Sequence, residues 1–267
     1  MTDRMHHIFI ATPMVAGQMQ GLARTLSTGR DALEAAGYAG PMLGPIAGGM
    51  SGDIHLDVSV CGGTQSGLAG FFKGAWRRAR AVRERINAPV GRLVIPVAGY
   101  HNLYPQLWKT EATGRALAPF DAMAAELGGR GRGWRDLLTE IVTELQPEEV
   151  ILLPEHAGLS EIVAALLPDV DLQLAGGKPA RPAPETGVAM LQNLFHMGVT
   201  LQPRQVQRLM QFHARLPQPA PIAAFDPLTR ARLIRRFDRE IAHALRHPRL
   251  HLGHAPRAHS AFQFAAE

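Results

Sequence analysis

The chain has 267 residues, a hydrophobic fraction of 46% and a formal net charge of +5. This composition argues against global disorder and supplies a core for one large α/β domain or two small ones. The single cysteine excludes an internal disulfide framework and fits a reducing compartment. No apolar run reaches the roughly 20 residues that span a bilayer, and the first residues lack the layout of a secretory signal. We therefore expect a cytoplasmic protein.

Nearly all of the positive charge is arginine, since Lys73, Lys109 and Lys178 are the only lysines. A G+C-rich genome is one explanation for this bias. The other is recognition of anions, because a guanidinium group binds phosphate, sulfate or carboxylate through two hydrogen bonds at once. The basic residues are spread over several predicted helices and form no known binding motif, so nucleic acid is not favoured as a partner.

The first two thirds of the chain alternate between strand-like and helical patterns. Apolar runs predict strands at 7–11, 54–60, 92–97 and 150–153. The first helical segment runs from the turn at Thr12 to about Ala36, and apolar stripes at helical spacing predict helices at 68–86 and 134–145. This alternation predicts an α/β three-layer sandwich with a mainly parallel central sheet. Pro96 is unfavourable in a central strand, so we expect an edge or a bulge there.

The chain after the fourth strand is predominantly helical. A short amphipathic helix is predicted at 158–167, and 170–174 is a candidate for a final short strand. Further helices are predicted at 187–197, 203–215 and 227–245. The last of them has a favourable start, because Asp226 is a good N-cap and Pro227 suits the first helical position.

These patterns divide the chain into four parts. Residues 1–175 form the α/β core, and the proline- and glycine-rich stretch 176–187 is a linker. Residues 188–246 are a helical C-terminal portion packed on the core. The tail 247–267 mixes proline, arginine and histidine, and we expect it to be disordered.

The opening strand, turn and helix have the layout of a phosphate-binding loop. A helix N-terminus at the end of a strand is a ready anion site, and the backbone amides of 15–18 can point at an anion. Thr12 supplies the only hydroxyl group, with Gly17 and Gln18 beside it. A working phosphate loop would add a lysine and more glycine, which this turn lacks.

This opening resembles the start of the bacterial sulfotransferases. The matching residues of the turn and helix are Pro13, Leu26, Arg30, Leu33, Gly37, Tyr38 and Pro41. The resemblance continues, in chain order, through Tyr100, Tyr104, Trp108, Gly114, Phe120, Trp134, Arg135, Asp136, Leu137, Glu155, Phe237, Asp238 and Ile241. It implies an α/β fold, 3′-phosphoadenosine 5′-phosphosulfate or another phosphorylated ligand as cofactor, and an unidentified acceptor.

The chain departs from this family at both places where the family holds its donor. Met14 stands where the family has its phosphate-binding lysine, and a methionine cannot neutralise a phosphate or sulfuryl oxygen. Val15 and Ala16 replace the polar and glycine positions that follow. The arginine and serine that hold the 3′-phosphate in the family are replaced by Ala98 or Gly99 and by Pro105 or Gln106.

The resemblance therefore implies a sulfotransferase-like protein with an altered donor site, inactive or atypical. If it is an enzyme, it is a group transferase. The alternative is a non-catalytic scaffold that recognises acidic partners or polyanionic glycans through the arginine-rich helices at 73–85 and 230–246. The sequence does not indicate an oligomeric state.

A second possible anion site lies at residues 61–67, between a strand and an arginine-rich helix. Thr64, Ser66 and the backbone amides can form an anion-binding nest, with Arg77 and Arg80 on the helix that follows. The alternative is a flexible turn beside a solvated basic face. The cysteine that opens this turn is a nucleophile if a helix N-terminus lowers its pKa, and otherwise a packing residue.

Glu155 and His156 follow a predicted central strand. Ligands of open α/β sheets bind outside the carboxyl ends of the strands, so these two side chains are candidates for acid and base. His101, on the facing loop, is an alternative base. The structural alternative for the glutamate is to cap the next helix or to pair with an arginine.

The histidines near the C-terminus do not predict a metal site. His243 and His247 are spaced to share a helix face, but the His-Glu-x-x-His arrangement and accompanying cysteines are absent. We expect only adventitious metal binding there.

Overall fold

The computed structural model describes residues 5–38, 53–175 and 183–253, except the side chain of Ala16. A parallel sheet of five strands lies at its centre, in the order β2-β1-β3-β4-β5. The strands are β1 (His6–Ile10), β2 (Ile54–Asp57), β3 (Val90–Val97), β4 (Glu149–Pro154) and β5 (Leu250–Leu252). Helices cover both faces of the sheet, so the predicted α/β sandwich is confirmed.

The helices occupy most of the rest of the described chain. A short 3₁₀ helix, Pro13–Gln18, follows β1. The α-helices are α1 (Met19–Thr28), α2 (Arg30–Ala35), α3 (Gly63–Gly70), α4 (Ala75–Ile86), α5 (Tyr100–Ala112), α6 (Phe120–Gly129), α7 (Trp134–Leu145), α8 (Leu159–Leu166), α9 (Glu185–His196), α10 (Pro203–His213) and α11 (Pro227–Ala244). None of the described helices is both long enough and apolar enough to cross a membrane.

Strand alternation divides the core into two layers. Along β3, Leu93 and Ile95 face a cluster formed with α4, α5, α7 and α11, whereas Val94 faces a cluster formed with α1, α2 and α8. In β4, Val150 faces the first cluster and Ile151 the second. Successive strand residues point to opposite faces, so a continuous apolar run is what a strand covered on both faces requires.

The expectation of an edge at Pro96 is wrong for the strand as a whole. β3 is the middle strand of the sheet, and Pro96 is in register with Leu153 of β4. The residue pairs that join β3 to β1 end at Val94, however, so at Pro96 the strand has a partner on one side only. Because proline has no backbone N–H to donate, the sheet tolerates Pro96 at this point as it would tolerate a proline in an edge strand.

Two predicted helices are interrupted. The opening segment is divided into the 3₁₀ helix, α1 and α2, and the segment 68–86 is divided into α3 and α4. The second break lies at Phe71 and Phe72, whose φ angles of 47° and 58° are in the left-handed region. Both rings are fully buried, and this burial offsets the backbone strain.

The last strand of the sheet was predicted in the wrong place. Residues 170–174 have no regular secondary structure. Instead, β5 lies within the predicted tail and pairs with β4, with Leu250 opposite Val150. This strand has no recognisable sequence pattern, because it has only three residues and takes its conformation from the neighbouring strand.

The helical C-terminal portion packs on the core through α9 and α11, which contact α5 and, for α11, also α7. α9 starts at Glu185, within the range assigned to the linker. Glu185 forms an ion pair with Lys109 of α5, and both side chains are largely buried. Position 41, the stretch 176–182 and the tail from position 254 lie outside the described residues.

Candidate functional site

The strand order places a crevice at the carboxyl ends of β1 and β3. The chain leaves β1 in one direction to form β2, and β3 lies on the opposite side of β1. The carboxyl ends of two strands that diverge in this way form a topological switch point, where open α/β sheets bind their ligands. The segments that follow β1, β3 and β4 should therefore carry the site.

Besides Tyr104 Oη, which lies further along α5, three buried polar atoms without a hydrogen-bond partner in the described structure belong to these segments. They are Gln18 Oε1, His101 Nδ1 and Glu155 Oε2. The other oxygen of Glu155 accepts a hydrogen bond of 2.6 Å from Asn102 Nδ2, and Gln18 Nε2 donates to the carbonyl of Ala157 at 3.0 Å. Buried polar atoms are rarely left unpaired, and such atoms mark possible ligand sites. We call Gln18, His101, Asn102 and Glu155 the carboxyl-edge site.

Each residue of this site is positioned by the end of a regular element. Gln18 ends the 3₁₀ helix after β1, and Glu155 is the first residue after β4. His101 and Asn102 lie in the first turn of α5, directly after β3. The His101 ring lies against Gly99, where a Cβ atom would overlap it, so a larger residue at this position would displace the ring.

Burial shifts the pKa values of the two titratable groups in opposite directions. Burial raises the pKa of Glu155, although the hydrogen bond from Asn102 and the charge of His156 oppose this shift. Burial, assisted by the positive charge of Arg230, lowers the pKa of His101. A carboxyl group and a neutral imidazole in one crevice are groups that can exchange protons with a bound ligand.

We expect Glu155→Gln to stabilise the protein at pH 7. Because the pKa of Glu155 is raised above its ordinary value of 4.5, the folded state binds this proton more tightly than the unfolded chain does. The stability that protonation provides is complete at low pH and is lost as the pH rises through the folded pKa. Thermal melts at pH 7 and pH 4 should show the variant above the wild type at pH 7 and the difference much smaller at pH 4. A variant that melts lower at pH 7 would show that the carboxylate is a net stabilising group.

The opening turn does not have the geometry that was predicted for an anion site. No α-helix starts at the end of β1, because the 3₁₀ helix intervenes and α1 begins only at Met19. The amide of Val15 donates to the carbonyl of Thr12 at 3.1 Å, and Thr12 is only 2% exposed. Met14 packs against both core clusters, while Gly17 is exposed. Of the predicted residues in this turn, Gln18 alone contributes a buried polar atom without a partner.

The turn after β2 uses its polar groups internally. The hydroxyl of Thr64 donates to a carboxylate oxygen of Glu111 on α5, which is unfavourable for an incoming anion. Ser66 is half-buried at the middle of α3. Burial and the nearby Asp57 raise the pKa of Cys61 to about 12, so this thiol is a packing residue rather than a nucleophile.

The arginines of α4 contact the protein itself. Arg80 forms two hydrogen bonds with Glu144 of α7, at 2.9 and 3.0 Å, and the guanidinium groups of Arg77 and Arg80 lie over the ring of Trp76. Arg78 donates to three backbone carbonyls, those of Phe72 and Lys73 in the preceding turn and that of Val60 before α3. Neither Arg77 nor Arg80 contacts the carboxyl-edge site.

The structure thus brings together part of the predicted set of residues. Gln18, His101 and Glu155 belong to the carboxyl-edge site, and the adjacent His156 is exposed. Asn102 was not predicted, although a polar residue in the first turn of a helix after a strand is a recognisable sign. In the described ranges, no three potential metal-ligating side chains are close enough to hold an ion.

Comparison with family models, curated proteins and solved structures gives no match to this chain.

Proposed function

We propose that the chain is a sulfotransferase-like protein that no longer uses the anionic sulfate donor. In this proposal, the carboxyl-edge site binds a neutral or cationic ligand through the ligand's hydroxyl or amino groups. The observation that carries the proposal is the pair of buried acceptors without a partner, Glu155 Oε2 and Gln18 Oε1.

The orientation of the Gln18 amide supports a ligand that donates hydrogen bonds. Its nitrogen faces the carbonyl of Ala157, which can only accept, so the oxygen is the atom that is left unpaired. A buried acceptor that lacks a donor costs about 1–3 kcal/mol. A phosphate or sulfate group would bring further acceptors, whereas a hydroxyl or amino group would satisfy those already present.

The positions that should hold the donor offer no positive charge. Met14 takes the place of the lysine and is packed against the core. The arginines of α4 that were candidates for a rebuilt donor site pair with Glu144 or with the Trp76 ring. If the protein catalyses a transfer, Glu155 would accept the proton of the ligand's hydroxyl or amino group, with His101 as the second titratable group.

The alternative of a scaffold for acidic partners has less support. Arg78, Arg80 and Arg83 of α4 all form hydrogen bonds with groups of this chain, so much of the basic face is neutralised or used internally. The exposed arginines of α11 remain candidates for such a surface.

Ligand-observed NMR with paired fragments tests the proposed function. Each pair consists of a fragment with a hydroxyl or amino group and its capped counterpart without a donor hydrogen, the methyl ether of the hydroxyl or the quaternary trimethylammonium form of the amine. We expect the uncapped members to bind and the capped members to lose most of their signal, because the capped forms cannot donate to the buried acceptors. Glu155→Leu and Gln18→Leu should remove binding of the uncapped fragments.

His156→Gln is the matched control, since it alters an exposed neighbour of Glu155 and should leave binding unchanged. Equal binding of capped and uncapped fragments, or a preference for anionic fragments, would contradict the proposed function.

A further inference from the structure

A second concave surface lies between α7, the end of α11 and the start of β5. It is a groove of about 400 Å³, which is within the usual range of small-molecule sites of about 300–1,000 Å³. Its floor is apolar and includes Leu138, Val142 and Leu250, of which the first and last are almost fully buried. The groove shares no residue with the carboxyl-edge site.

The rim of this groove is basic. Arg135, His243 and Arg246 are exposed and line it, and none of the described residues that line it is acidic. The side chains of His243 and Arg246 form no hydrogen bond or ion pair within the described structure. The side chain of Arg135 comes only within 3.9 Å of the carboxylate of Asp136. The side chains of Arg135 and Arg246 are therefore available to a ligand, unlike that of Arg80 in α4, which is paired with Glu144.

We propose that this groove binds a small amphipathic organic anion. An aromatic or aliphatic body would cover Leu138 and Val142, and a carboxylate, sulfonate or phosphate head would bind Arg135 and Arg246. Guanidinium groups bind such anionic heads through paired hydrogen bonds. The apolar floor favours organic over inorganic anions, because inorganic anions have no apolar surface to bury against it. This proposal does not depend on the function proposed for the carboxyl-edge site.

The probe is 1-anilinonaphthalene-8-sulfonate, whose fluorescence rises when its rings leave water. We expect saturable binding at one site of the wild-type protein. Arg135→Gln and Arg246→Gln should each weaken that binding by about tenfold, because each removes a charge-assisted contact with the sulfonate. Thr139→Trp, which places a large ring at the wall of the groove, should abolish it.

Arg239→Gln is the matched control, because it removes the same charge from an exposed position of α11 outside the groove. It should bind the probe as the wild type does. Circular dichroism melts establish that every variant is folded. The proposal is overturned if Arg135→Gln and Arg246→Gln bind the sulfonate as tightly as Arg239→Gln does, or if the uncharged N-phenyl-1-naphthylamine binds the wild type equally well.

Discussion

Replacing Glu240 with alanine is expected to lower the free energy of unfolding by about 3–5 kcal/mol, the usual cost of breaking a buried charge pair. One oxygen of Glu240 accepts hydrogen bonds from Tyr100 Oη at 2.5 Å and from the amide of Arg135 at 3.2 Å. The other accepts from Arg236 Nε at 2.6 Å. The Tyr100 hydroxyl also accepts from the amide of Trp134 at 2.7 Å. Without the carboxylate, the guanidinium of Arg236 would be left largely buried and without its counter-ion.

This network matters for the carboxyl-edge site because it joins α11 to the first residue of α5, next to His101 and Asn102. Urea denaturation followed by circular dichroism measures the loss of stability. Tyr100→Phe should cost less, about 1–3 kcal/mol, because it removes a neutral hydroxyl and leaves the ion pair intact. Glu148→Ala, at an exposed glutamate, should change stability by no more than about 0.5 kcal/mol. If Glu240→Ala were no worse than Glu148→Ala, the network would not be stabilising.

Gln192→Leu is expected to lower the free energy of unfolding by about 3 kcal/mol. The Gln192 side chain is only 8% exposed and makes three hydrogen bonds with the backbone. Its oxygen accepts from the amide of Leu117 at 2.9 Å, and its nitrogen donates to the carbonyls of Ala112 and Arg115 at 2.6 and 2.7 Å. Leucine has a similar size but cannot form hydrogen bonds, so three backbone groups would be left without partners.

The same urea titration measures this effect, with Gln207→Leu on the exposed face of α10 as the control. The control should differ from the wild type by no more than about 0.5 kcal/mol. A small effect of Gln192→Leu would mean that α9 is only loosely attached to the end of α5, contrary to the packing described above.

The parts of the fold that the sequence predicts correctly are those set by local periodicity. The apolar run at 92–97 predicts a strand where β3 lies, and the stripe from Trp134 to Leu145 predicts α7 with the observed bounds. The strand β5 and the break at Phe71 and Phe72 were missed because neighbouring elements impose them. The three residues of β5 are too few to show a periodic pattern, and they form a strand because they pair with β4. Phe71 and Phe72 adopt left-handed backbone conformations because their rings fill the core.

The candidate site was predicted in part, for a similar reason. Position at the end of a strand was enough to single out Glu155 and His101, since parallel strands direct the residues that follow them to one edge. The loss of the predicted anion nest at Thr64 could not be read from the local sequence. The carboxylate that accepts the hydrogen bond of the Thr64 hydroxyl belongs to Glu111, far along the chain. The partners of Arg80 are likewise brought to it only by the packing of α4 on α7.

In the proposed function, the carboxyl-edge site does not bind the anionic donor of the sulfotransferases. Calorimetric titration of the purified protein with 3′-phosphoadenosine 5′-phosphate tests it most directly. We predict no binding heat up to millimolar ligand, because Met14 provides no charge and the arginines of α4 have partners within the protein. Binding at micromolar strength that is lost when Arg77 and Arg80 are replaced would contradict the claim and show that a donor site has been rebuilt on α4.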